Sequence, residues 1–417
     1  MAFAFSQSYI PIDTNITANK KSFIENLKSR HELDIDLVKN QFSGQMKKQI
    51  QKSYGDQFES LVKDVNKGEI YFDDTNQQYI ESLILEIKKY NSELNSLPLS
   101  VNFSRAHSAN AFSVGEGTIV VHLDLLNTLE NEAELISVIC HEIAHYKLNH
   151  RNKSVEKFVA KLTSDESKKE EREIKSLKYN KQKRAENFIK DMVYSRTSKS
   201  RIHEMQADSL GFEFFKRTNY NPKYIVNSLQ LLEKSDNEKD SLVKADYEKF
   251  FTTKNQKFID QWLDVEDFSG YKYSKEHSFK WNVDSLKTHP DCAARIAVIA
   301  GKKYNEKADY NVNAVFFNKL KTQAKYENIY NFYFFKEYGY SLYEALKYLK
   351  IKKTDTFLTN IIYKNLVLLS KAKKEMKFNN FIPRIDPTEH SHSQQLFFNF
   401  MNNLSVKELE TITNDYR

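Results

Sequence analysis

The stretch Glu134 to His150, ELISVICHEIAHYKLNH, decides how this chain reads. Its first half is apolar at Leu135, Ile136, Val138 and Ile139, the pattern of a helix that buries one side. Asn131-Glu132-Ala133-Glu134 supplies the start: Asn131 is an N-cap, and Glu134 three residues on completes a capping-box pattern. The helix is predicted to run to about His150. Within it, His141 and His145 are four residues apart, so they project from one face and aim both imidazoles at one point, where a zinc ion could sit. Glu142 is next to that face, placed to take a proton from an activated water and pass it to a leaving amine. A pair of surface histidines is the bland reading of H-E-x-x-H. The apolar run from Leu135 to Ile139 counts against it, because it draws the helix into a core where unpaired histidines are costly.

A catalytic zinc takes three protein ligands and keeps one position open. One standard pattern puts a histidine six residues after the second, but that position is Arg151, and the glycine that pattern needs is Leu148. The other pattern is a glutamate on a later helix, four residues before an aspartate. His203-Glu204-Met205-Gln206-Ala207-Asp208 provides it, which makes Glu204 the expected third ligand. Asp208 shares its face and is expected to accept the outer N–H of a ligand imidazole. His150 lies nine residues beyond His141, half a turn away on an ideal helix, and is expected to be structural. His203 is expected to point elsewhere.

Around these motifs the chain reads as mainly α with a small β-sheet. Nine glycines and six prolines in 417 residues leave few tight turns, and 40% hydrophobic content is enough for a sizeable core. Residues 1–18 read as an extended tail and 19–95 as helices. Val101–Phe103, Ala111–Val114 and Thr118–Leu123 are short β-type runs, the last two joined by a Gly115-Glu116-Gly117 turn. The segment 151–199 carries 15 Lys or Arg against 8 Asp or Glu and reads as a charged helical insert, followed by a helix from about Arg201 to Arg217. Residues 305–417 read as helices, with Leu342–Leu349 and Phe357–Leu369 suggesting a pair of tetratricopeptide type. A net charge of +7 over 63 basic and 56 acidic residues describes a mixed surface and argues against nucleic-acid binding. No apolar run is long enough to cross a bilayer as a helix. Cys140 and Cys292 form no C-x-x-C pair; packing is the expected role, with a disulfide between them left open in an oxidising compartment. The opening MAFAFSQ is similar to the last part of a secretory signal, and also to an ordinary frayed terminus.

Taken together, these motifs resemble the HtpX and CAAX-prenyl-protease family of gluzincin metallopeptidases, most closely its soluble, BepA-like branch. The resemblance covers Leu97 to Ala300. It rests on Asn110-Ala111-Phe112 before a hairpin, on ELISVICHEIAHYKLNH, on EMQADSLGF, and on Thr288-His289-Pro290 followed by Arg295. It implies a zincin-like metallopeptidase core over 96–304 with one zinc per chain, and a protein or peptide substrate. Asn110, Ala111 and Phe112 would hold that substrate along an edge strand. His289 would serve catalysis near the metal, as an oxyanion donor or a resting-state ligand, and Arg295 would help to position its loop on the substrate side. The charged 151–199 segment departs from the membrane-embedded members, which carry apolar spans around the catalytic helices, so membrane-spanning substrates are not expected. The C-terminal helices would be a platform for a partner protein, and the cell envelope is the expected compartment. Two other functions remain open on sequence: a self-inhibited, chaperone-like binding module, and a metal-dependent hydrolase of a non-peptide bond.

Overall fold

The computed structural model describes residues 8–14, 16–177, 179, 181–235, 238, 241–265, 292–386 and 390–416. His289, with Thr288 and Pro290, lies outside the described residues, as does the signal-like Met1–Gln7. By internal contacts the chain divides into two units. One comprises Asp13–Lys234 with Ser278–Lys321, and the other Met1–Ile12, Ser235–His277 and Thr322–Arg417.

The first unit holds every site residue named above that is described. It opens with helices α1 (Thr17–Gln41), α2 (Gly44–Asn66) and α3 (Asp74–Lys89). Strands β1 (Ser100–Ser104), β2 (Ala111–Gly115) and β3 (Thr118–His122) follow. Their order is β1-β3-β2, with β3 parallel to β1 and antiparallel to β2. All three residues of the Gly115-Glu116-Gly117 turn have positive φ, two of them glycines that tolerate it, and this tight turn makes the hairpin. β2 therefore ends the sheet on one side.

After a short helix α4 (Leu125–Thr128) comes α5 (Glu132–Lys147), whose capping box between Asn131 and Glu134 forms as the sequence predicts. Leu135, Ile136, Ile139 and Ile143 are fully buried, each contributing about 1.5–3 kcal/mol relative to exposure. The start of α5 is pinned by Glu132, whose buried carboxylate accepts from Tyr79 Oη at 2.8 Å, Tyr220 Oη at 2.6 Å, Asn313 N at 3.0 Å and Val312 N. The helix stops at Lys147, short of the expected His150, because Asn149 takes a left-handed conformation (φ 56°) and starts a new direction. The charged segment is helical: α6 (His150–Thr163), α7 (Asp165–Ser176), and then α8 (Lys181–Arg217), which begins well before the expected Arg201. α8 packs on α5 through Gly211, where a Cβ would come within 3.0 Å of His141 Cα. A larger residue there would push the two helices apart at the H-E-x-x-H motif. α9 (Lys223–Glu233) and, beyond α10 (Lys244–Phe251), α11 (Cys292–Ala300) complete the packing around α5 and α8.

Besides its N-terminal stretch, the second unit contains α10 (Lys244–Phe251) and the helices of the C-terminal part of the chain. α12 (Ala314–Phe334) carries the division between the units; α13 (Tyr338–Lys352) and α14 (Thr356–Lys374) pack together, followed by α15 (His392–Asn403) and α16 (Val406–Asp415). Its core is rich in rings, including Tyr247, Phe251, Trp262, Phe397 and Phe400.

Candidate active site

α5 brings His141 and His145 to one side, and α8 lays Glu204 against them. The two Nε2 atoms are 3.0 Å apart, and each is 3.3 Å from an oxygen of Glu204. These three are the group of side chains found able to hold a metal ion among the described residues. The donor chemistry fits such an ion. His141 presents Nδ1 to Asp208 Oδ1 at 2.9 Å, so a neutral ring carries its proton there and leaves Nε2 bare. Bare nitrogens facing carboxylate oxygens repel one another unless positive charge lies between them. A tetrahedral ion about 2.0–2.1 Å from each donor would separate those donors by about 3.3 Å, close to the spacing observed.

The electrostatics point the same way. Burial works against charge on His141, but hydrogen bonds to Asp208 and Glu204 outweigh it and hold the imidazole up to about 10. Burial also opposes charge on Asp208, yet its bonds to Arg295 and His141 bring the carboxyl down to about 2. Arg295, on α11, donates from Nε to Asp208 Oδ2 at 2.7 Å and from Nη2 to Oδ1 at 2.6 Å. The same guanidinium approaches Glu204 at 3.8 Å. Arg295 is thus committed, buried, to the back of the candidate metal site. Glu142 is buried beside the cluster, its Oε1 4.0 Å from His141 Nε2.

His150 differs from its expected place. The break at Asn149 turns it back toward the site, so that Nδ1 lies 3.0 Å from His145 Nδ1 and Nε2 lies 3.1 Å from Gln206 Oε1. His203 stacks on it with centroids 4.2 Å apart and planes 7° from parallel. Burial, then the neighbouring His145 and His203, push His150 down to about 4, which keeps it neutral. The sequence signal for this residue was the Asn149 before it, since asparagine is among the few residues that enter the left-handed region readily.

A cleft of about 900 Å³ opens in front of the cluster, lined by Glu142, His145, Glu204, His150, Asn110 and the β2 residues Ala111 to Ser113. Asn110 O accepts from His122 N at 2.9 Å, and its side-chain Oδ1 accepts from Ala111 N at 2.9 Å. Phe112 is 41% exposed, large for an aromatic ring, and lies along this wall. Asp34 and Leu37 of α1 and Gln57 of α2 line the cleft too.

Residues 74–303, more than half of the chain, match Peptidase family M48. The chain belongs to peptidase family M48. The family is one of metallopeptidases, and His141, His145 and Glu204 form a group that could hold a metal ion. The resemblance to the HtpX and CAAX-prenyl-protease group holds at this level. Helices α1 and α2, whose residues reach into the cleft, precede the M48 segment. No curated protein matches the chain. Cys140 is buried and Cys292 half-buried, both as free thiols. No helix among the described residues is long and apolar enough to cross a membrane.

Proposed function

We propose that the chain is a zinc-dependent endopeptidase that cuts protein substrates in extended conformation. The reading is carried by one observation: two imidazole nitrogens and a glutamate carboxylate, drawn from two helices, converge with Glu142 beside them. Zinc held by His141, His145 and Glu204 would polarise the scissile carbonyl and make water acidic enough to lose a proton near neutral pH. Glu142 accepts that proton on its carboxylate and delivers it to the departing amine, so the reaction needs no covalent enzyme intermediate. Asp208 holds His141 with Nδ1 protonated, and Arg295 holds Asp208 ionised. The outer edge formed by Asn110 and the first residues of β2, Ala111 and Phe112, pairs with an extended backbone as an added strand, and Phe112 packs on its side chains. The resemblance favours the cell envelope, where unfolded proteins would be the natural substrates.

The experiment is cleavage of casein by the purified chain, with a chelator and then with zinc restored. Activity is expected to vanish and return. Glu142→Gln should keep zinc and lose cleavage by about 10²–10⁴-fold. Cleavage that persists without metal, or a Glu142→Gln variant as active as the parent, would overturn the reading.

A further inference from the structure

The imidazole of His145 is backed by other imidazoles. His150 is 3% exposed, with Nδ1 3.0 Å from His145 Nδ1 and Nε2 3.1 Å from Gln206 Oε1, and its face is covered by His203. Two ring nitrogens at that distance need one proton between them. A carbonyl oxygen can only accept, so Gln206 takes the N–H at His150 Nε2 and leaves His150 Nδ1 as an acceptor. The proton in the contact therefore sits on His145 Nδ1. A neutral imidazole carries one N–H, so His145 Nε2 is bare, and that is the atom facing His141 and Glu204.

We infer that His150, locked by Gln206 and stacked on His203, is a positioning residue that fixes the tautomer and ring orientation of His145 for metal binding. The inference rests on the reading of His145 as a metal ligand. His150 is not itself a fourth ligand: its near nitrogen faces the Nδ1 of His145, the side turned away from the cluster.

The test is zinc affinity of the full chain without substrate, by competition with a chromophoric chelator, together with the visible spectrum of the cobalt-loaded protein. His150→Leu is expected to weaken zinc binding about 10–100-fold and to change the cobalt bands. His150→Gln, whose amide oxygen can accept from His145 Nδ1, should recover most of the affinity. Gln206→Leu lies on an exposed position of α8 and leaves packing intact; it should weaken binding several-fold, about 3–10-fold, in the same direction. If His150→Leu and Gln206→Leu bind zinc like the parent with unchanged cobalt bands, or if His150→Gln is no better than His150→Leu, the positioning role is wrong. A parent chain that binds no zinc would instead defeat the ligand assignment itself.

Discussion

The two histidines of the candidate metal site are supported from behind in opposite ways. His141 leans on a charge: Asp208, ionised and clamped by the buried guanidinium of Arg295. His145 leans on a neutral pair, His150 and Gln206. With a metal bound, both arrangements would keep the proton on Nδ1 and leave Nε2 to the ion, but a carboxylate raises the basicity of its imidazole far more than a neutral ring does. The difference also reaches the fold. The Asp208–Arg295 pair is buried, so either partner without the other is a buried charge stripped of its closest counter-ion, whereas loss of His150 leaves no charge behind.

The comparison can be broken most forcefully on the charged side. Asp208→Asn should lower zinc affinity by about 100-fold, more than His150→Leu does. It should also lower the unfolding temperature, since Arg295 loses its carboxylate at a cost of about 3–5 kcal/mol. Chelator competition and thermal unfolding of the two variants side by side measure both effects; equal losses would erase the distinction.

A smaller effect sharpens it. In the metal-free chain His141 is held protonated up to about 10. Its folded value lies above its unfolded one, so the stability it contributes is complete below about pH 6.5 and is lost as pH rises through about 10. Zinc binding near pH 7.5 must therefore displace about one proton from His141. Calorimetric titration in buffers of different ionisation enthalpy reads that number directly. Asp208→Asn should reduce the release, and His150→Leu should leave it unchanged.

The same two sides show what a sequence discloses. His141, His145, Glu204 and Asp208 could be placed on common faces because α5 and α8 are regular where those residues sit, and i, i+4 spacing holds along a regular helix. His150 could not, because nine residues of ideal helix put it behind His141, whereas the left-handed Asn149 ends the helix and turns it inward. A single φ changes its address. Arg295 was legible only as part of a motif; its partner depends on how α11 packs against α8, which no local pattern encodes. The small sheet and its hairpin were readable from β-branched runs around Gly115 and Gly117. The extent of α8 was not, because its first turns are charged and carry no apolar period.

The most direct measurement is zinc content of the purified full chain after dialysis against metal-free buffer. About one zinc per chain is expected for the parent and for Glu142→Gln, and far less for Glu204→Ala, since three protein ligands define a catalytic site. Full zinc in Glu204→Ala would contradict the joining of α5 and α8 through a shared metal.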